Sequence, residues 1–437
     1  LPCKPMHKTE LLAPAGNLNN LRYAIAYGAD AVYAGMPRYS LRVRNNDFHK
    51  LDNLATGIQE AHDAGKQFYL ASNALPHNAK IKTFIKDMEP IMELAPDALI
   101  MADPGLILMV REHWPDTAIH LSVQSNTMNY ASVRFWQQQG ITRIILSREL
   151  SLDQIEEIQH ECPEMELEVF VHGALCIAYS GRCLLSGYFN HRDANQGCCT
   201  NSCRWDYKLK NARVDISGDI QPVDTPTTGS AEQVYLLEES GRPGVQMPIE
   251  EDEHGTYIMN SRDLRALEHV ERLVNIGIKS LKIEGRTKSH YYVARTTQTY
   301  RQAIDDAVAG RPFDARLLGA LENLANRGYT DGFLQRHPDQ DYQNYLKSHS
   351  DSVKQRFVGA LDGYNPGTGM AHVDVKNKFS IGDQLELILP EGNRTFRLKN
   401  MLDMDDRPVK EAPGGGYRVQ IPLDGQDFTM GLLARYL

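Results

Sequence analysis

From Glu10 onward, short aliphatic runs alternate with amphipathic stretches. The apolar runs are Glu10–Ala13, Ala29–Ala34, Gln67–Ser72, Ala98–Ala102, Ala118–Val123, Arg143–Ser147, Leu167–His172 and Ser280–Glu284. Most are apolar at consecutive rather than alternate positions, which predicts strands buried on both faces of a parallel sheet. Between them, Asn17–Tyr27, Leu51–Ala64, Ser132–Gln139, Ser151–His160 and Ser261–Ile276 carry helical spacing, and Asn17, Ser151 and Ser261 are suitable N-caps. Gly28, Gly65 and Gly140 fall just past helix ends, where a left-handed residue favours glycine. Eight strand–helix units in about 300 residues predict an α/β fold, a (β/α)8 TIM-like barrel. A doubly wound open sheet is the alternative, because periodicity does not report closure.

In a barrel, polar residues at the C-terminal ends of strands face the active site. Here those positions hold Asn73, Asp103, Gln124, Asn126, Arg148, Glu149, His172, Glu284 and Arg286. Any one of them can instead cap the following helix. One connection breaks the rhythm: after Leu167–His172, the chain inserts about ninety residues before the next helix, far more than an ordinary βα loop. Its second half, Pro222–Gly255, is rich in Thr, Ser, Glu, Gly and Pro and reads as a flexible excursion or lid. Beyond about residue 352 the pattern changes to alternation, with runs at Phe357–Leu361, Ala371–Val375, Gln384–Leu389, Thr395–Leu398, Tyr417–Ile421 and Gly431–Tyr436. Turn signals between them predict a small all-β barrel or sandwich. The expected organisation is a barrel over 1–335 with insertion 173–256, a linker over 336–352, and a C-terminal β-barrel over 353–437.

Composition is that of an ordinary globular chain, 42% hydrophobic and 24% charged. No apolar run approaches the roughly 18 residues of a membrane span, and no secretion signal opens the sequence, so a cytoplasmic location is expected. A net charge of −9 argues against simple coating of nucleic acid, although a local basic groove is compatible with it. Cysteine changes the picture more. Five of the seven lie between Cys176 and Cys203, spaced Cys176-x6-Cys183-x15-Cys199-x3-Cys203, with Cys198 beside Cys199. Clustered thiols without a secretion signal read as metal or redox groups, and four thiolates can complete a [4Fe–4S] cluster or a tetrahedral zinc site. Only Cys199–Cys203 has the short pairing usual for zinc, so the spacing favours iron–sulfur; zinc and buried or redox cysteines remain the alternatives. Cys3 and Cys162 read as incidental small hydrophobes.

The run Glu168–Cys176 followed by Gly181–Ser186 resembles the signature of the U32 (collagenase-like) peptidase family. Glu10–Gly16, Gly28–Gly35 and Leu281–Arg286 resemble it too, and the resemblance covers essentially the whole chain. Within the family, Tyr39–Asn46, His172–Ser186 and Cys199–Trp205 are most similar to the bacterial members that hydroxylate tRNA in a prephenate-dependent way, making 5-hydroxyuridine at the wobble position. The resemblance implies an enzyme with a [4Fe–4S] cluster on Cys176, Cys183, Cys199 and Cys203, prephenate as co-substrate and the tRNA anticodon region as partner. Cys198 competes with Cys199 for the third position.

The expected catalytic groups are His172, Glu284 and Asn73. The expected substrate-binding groups are Arg42, Arg44, Gln124, Arg148, Arg286 and Tyr188. Prephenate is a dicarboxylate, which suits the arginine fork, and aromatic residues in the insertion suit stacking of a splayed base. Lys80, Lys82 and Lys86 are further RNA-contact candidates, although such spacing also marks an ordinary solvated helix face. Peptidase activity is the rival reading. The chain has neither a His-Glu-x-x-His zinc motif nor a Gly-x-Ser-x-Gly elbow, and only Cys176 with His172 suggests a thiol protease. A non-catalytic role in an iron–sulfur complex is the third reading.

Overall fold

The computed structural model describes residues 9–35, 38–41, 46–175, 200, 263–285, 288–324, 328–335, 355–425 and 428–437, together with the backbone of six short strands between 207 and 256. Cys176, Cys183, Cys198, Cys199, Cys203, Arg42, Arg44, Arg286 and Tyr188 lie outside the described residues.

All eight expected barrel strands are present. The first seven are β1 (Glu10–Pro14), β2 (Ala31–Gly35), β3 (Gln67–Ser72), β4 (Ala98–Met101), β5 (Ile119–Leu121), β6 (Arg143–Ile145) and β7 (Glu166–Ala174). The insertion carries β8 (Tyr207–Val214), β9 (Ile220–Pro222), β10 (Val234–Glu239), β11 (Gln246–Ile249), β12 (Glu251–Asp252) and β13 (Gly255–Thr256). Then come β14 (Asp263–Arg265), the last barrel strand β15 (Ser280–Ile283) and β16 (Tyr329–Thr330). Strands β1 to β7 pair in sequence order, and β15 pairs with both β1 and β7, all in parallel. That closes an eight-stranded parallel barrel and excludes the open sheet.

The helices are α1 (Leu18–Ala26), α2 (Leu51–Asp63), α3 (Asn78–Ile81), α4 (Phe84–Met92), α5 (Pro104–His113), α6 (Tyr130–Gln138), α7 (Leu152–Glu161), α8 (Val270–Ile276), α9 (His290–Val308) and α10 (Arg316–Glu322). Asn17 caps α1 and Ser151 closes a capping box on α7, as their types dictate.

Two expectations change. The helix expected over Ser261–Ile276 begins only at Val270, because Asp263–Arg265 pairs antiparallel with His172–Ala174 and extends the β7 edge. The excursion expected over Pro222–Gly255 contains β10 and β11. β10 pairs with β8 and β11, so its Val234–Leu237 run serves a four-stranded antiparallel sheet. Composition outweighed that short apolar run in the sequence reading.

The lower end of the barrel is closed by charge. Arg143 reaches Glu10 at 2.8 Å, Glu166 at 2.9 Å and Glu168 at 3.5 Å, while Lys282 reaches Glu168 at 2.8 Å. Glu10, Arg143 and Ser280 open their strands, so this plug lies at the N-terminal end, away from the face that carries chemistry in such barrels.

The C-terminal unit comprises β17 (Gln355–Asn365), β18 (Met370–Val375), β19 (Phe379–Ser380), β20 (Gln384–Leu389), β21 (Gly392–Arg397), β22 (Glu411–Ala412), β23 (Arg418–Pro422) and β24 (Leu432–Tyr436). Its main sheet runs β21-β20-β24-β17-β18-β23, wholly antiparallel, around a core that includes Val358, Val373, Phe379, Leu387, Ile421 and Leu433. β21 and β23 remain edges, so the sheet encloses its core without closing into a hydrogen-bonded ring. The unit is fixed to the barrel by buried polar contacts. Arg295 of α9 grips both Glu386 oxygens at 2.9 and 3.0 Å and Gln355 at 3.2 Å, and Tyr27 donates to the Ile388 carbonyl at 2.9 Å.

Candidate active site

The C-terminal strand ends gather a polar mouth. After β3, Asn73 accepts from the Leu41 amide at 3.2 Å and donates to the Ser122 hydroxyl at 3.2 Å. One carboxamide therefore ties together the segment after β2, the end of β3 and the end of β5. Ser122 also accepts from the Gln124 amide, capping a short 3-10 turn. Asn126 ends that turn in the left-handed region, which asparagine tolerates, and accepts from Ser147 at 2.7 Å. The Gln124 side chain is half-buried and makes no hydrogen bond among the described residues, which leaves a donor and an acceptor for a ligand.

Across the mouth, Arg148 follows β6. Its guanidinium lies 3.9 Å from the Phe170 ring centroid and donates to the Ala174 carbonyl at 2.9 Å and to Glu284 at 3.2 Å. Those two bonds use one N–H of each terminal nitrogen, and the buried Nε has no hydrogen-bond partner among the described residues. Arg148 thus joins β6 to Ala174 of β7 and to the end of β15, with donors left over for a ligand. Glu284 is positioned from three sides. Its amide donates to the His172 carbonyl at 2.8 Å, its carbonyl accepts from Tyr292 at 2.9 Å, and its carboxylate accepts from Arg148 and the Gly285 amide. Gly173 makes this approach feasible. Its φ is +107°, and a Cβ there would sit 2.5 Å from the Glu284 carbonyl oxygen.

His172 goes elsewhere. The β7–β15 register slips between Lys282 and Ile283, a bulge that re-aims the side chain at this position. Its ring packs among Tyr292, Tyr300 and Tyr329 at centroid distances of 5.8, 5.5 and 5.5 Å, with Tyr300 3.3 Å from Nδ1. It is 1% exposed, and burial, then the positive charges of Lys288 and Arg265, lower its pKa to about 3. His172 therefore packs into a tyrosine cage at the end of β7 and not into the mouth among the described residues. Asp103 likewise proves to be a helix cap, accepting from Leu106 at 2.9 Å. The structure brings Asn73, Gln124, Arg148 and Glu284 to the mouth. Ser122 and Ser147 complete it; both fall inside the runs Ala118–Val123 and Arg143–Ser147, which the sequence pattern assigns to strands and not to the site.

The buried histidine has a pH signature. Its folded pKa lies below its unfolded value, so its contribution is intact above about pH 6.5 and is lost as pH falls toward 3, at roughly 1.4 kcal/mol per pH unit. Wild type is expected to lose about 2 kcal/mol more than His172→Asn between pH 6.5 and 5, read from urea titrations. Equal losses in the two proteins contradict the assignment. His120, also buried and held neutral, contributes the same slope to both and cancels.

Residues 16–344 match the model of Peptidase family U32, and residues 353–435 match that of the Peptidase family U32 C-terminal domain. The chain belongs to peptidase family U32. It is 59% identical over 429 residues to tRNA hydroxylation protein P of Escherichia coli (strain K12), covering 96% of this chain and 94% of that one. It is 57% identical over 433 residues to the protein of the same name from Haemophilus influenzae, covering 95% and 94%. A more distant relative, the 23S rRNA 5-hydroxycytidine C2501 synthase of Escherichia coli (strain K12), is 30% identical over 337 residues, covering 75% of this chain and 45% of that one.

Proposed function

We propose that the chain is a tRNA-modifying enzyme that hydroxylates the wobble uridine to 5-hydroxyuridine, with prephenate as the hydroxyl donor and an iron–sulfur cluster on Cys176, Cys183, Cys199 and Cys203. The observation that carries the RNA reading is near-full-length similarity to relatives named for tRNA hydroxylation, joined by one named for hydroxylating a cytidine of rRNA. Uridine and cytidine share a pyrimidine C5, so one barrel chemistry serves both names. The cluster rests on the cysteine spacing and on the place of the insertion after β7, at the end of the barrel where Arg148 and Glu284 meet. When bound, such a cluster supplies a Lewis-acidic iron or an electron carrier.

The chain's own residues hold the rest of the site. Glu284 is a fixed acceptor beside the cysteine loop, Arg148 anchors that loop at Ala174, and Gln124 offers a free carboxamide to a base edge. Arg42, Arg44, Arg148 and Arg286 are the candidates for the prephenate carboxylates. Among the described residues no helix is long and apolar enough to cross a membrane, which accords with work on tRNA in the cytoplasm.

Anaerobically purified protein is expected to hold about four irons and matching sulfide per chain, with broad visible absorption. Stoichiometric zinc in protein that still hydroxylates tRNA contradicts the cluster. The thiol of the rival peptidase reading, Cys176, lies outside the described residues, and the His172 ring that would pair with it meets the Tyr300 hydroxyl at 3.3 Å.

A further inference from the structure

The β3–α4 connection carries a cationic ridge on the rim of the mouth. Segment 74–77 leads from Asn73 directly into α3, so His77, Lys80, Lys82 and Lys86 follow a site residue onto the catalytic face. Helix α4 buries Phe84, Met88 and Ile91 and turns Lys86 outward, one turn beyond the exposed Lys82. The acid nearest in sequence, Asp87, accepts on one carboxylate oxygen from Arg38 at 2.7 Å, Tyr39 at 2.6 Å and Thr83 at 3.0 Å, and it also feels the positive charge of Lys86. Lys82 and Lys86 have no ion pair among the described residues. The exposed acids of this helix, Glu89 and Glu93, lie toward its C-terminal end, away from the mouth. Tyr39 is fully buried and also donates to the Lys80 carbonyl, so the ridge is built on a rigid base.

We propose that this ridge is the phosphate-contact surface for the RNA strand whose base enters the barrel, which rests on the RNA reading above. A chain of net charge −9 that must hold a polyanion needs its cations concentrated where the strand crosses, and the rim beside Asn73 is such a place. Lys376 and Lys378, on the C-terminal unit, are paired with Asp374 and Glu411. The rival cationic surface is the exposed edge strand β21, where Arg397 is followed by Lys399.

The test is the affinity of the full chain for an unmodified tRNA transcript across a potassium chloride series. Lys82→Gln with Lys86→Gln is expected to weaken binding about tenfold near physiological salt and to make the log–log salt slope shallower by about 1.4, two single-strand phosphates at ~0.7 each. An unrelated RNA stem-loop is expected to lose affinity to the same extent, because phosphate contacts carry no sequence. Arg397→Gln with Lys399→Gln is expected to leave both quantities unchanged. Wild-type slope and affinity in the Lys82/Lys86 variant overturn the ridge and leave the RNA reading standing. Loss only in the Arg397/Lys399 variant assigns the contact to β21 instead. A wild-type chain with no salt-dependent affinity for tRNA overturns both readings.

Discussion

Cys176→Ala is expected to remove 5-hydroxyuridine from tRNA to below detection in cells whose only source of the activity is this chain. Cys176 follows Leu175, the last described residue of the stretch that Arg148 anchors through the Ala174 carbonyl at 2.9 Å. A cluster that loses one of four thiolates loses charge compensation and a covalent anchor together, so the effect is all-or-none rather than graded. Iron content is the independent readout and is expected to fall with the modification. Cys162→Ala is the matched control: that thiol is buried near the C-terminal end of α7, 3.6 Å from the Tyr130 carbonyl and beside Arg134. It is expected to keep full hydroxylation. Hydroxyuridine at the wild-type level in the Cys176 variant removes the cysteines from the chemistry.

Gly173→Ala carries the next largest effect. The residue sits at φ +107°, where an alanine is strained whatever the space, and its Cβ would lie 2.5 Å from the Glu284 carbonyl oxygen and 2.8 Å from the Glu284 Cβ. Backbone contacts of that kind are relieved only by parting β7 from the segment after β15. That parting moves Glu284, Arg148 and the root of the cysteine loop at once. Displacement of reacting groups by about 1 Å costs on the order of a hundredfold in rate, and that is the expected loss in hydroxylation. The melting temperature is expected to fall by several degrees, with the barrel still folded. Unchanged hydroxylation shows that the β7–Glu284 approach does not set the site.

The barrel was legible because its strands are short, continuous apolar runs in a fixed rhythm with helices, and each run became a strand within a few residues of its expected limits. Glycines at helix ends were legible for the same local reason: Gly28, Gly65 and Gly140 all take positive φ. What failed depends on register and partners. His172 belongs by position to the mouth, but a bulge against β15 turns it into a tyrosine cage, and no periodicity reports a bulge. Asp263–Arg265 lies in a helical-looking segment yet forms a strand, because the free edge of the extended β7 recruits it. Arg148 was recognised as a site residue from its place after β6. That it also bonds Ala174 and Glu284 could be learned only from the fold. The paired charges of Arg143, Glu168 and Lys282 inside the barrel were equally hidden, since strand patterning treats a buried ion pair as an interruption.

The measurement that reaches the central claim most directly is nucleoside mass spectrometry of tRNA from cells with and without this chain, with prephenate synthesis blocked in a parallel culture. The account predicts 5-hydroxyuridine only where both the chain and prephenate are present. 5-Hydroxyuridine that is undiminished when the chain is removed, or when prephenate synthesis is blocked, contradicts it.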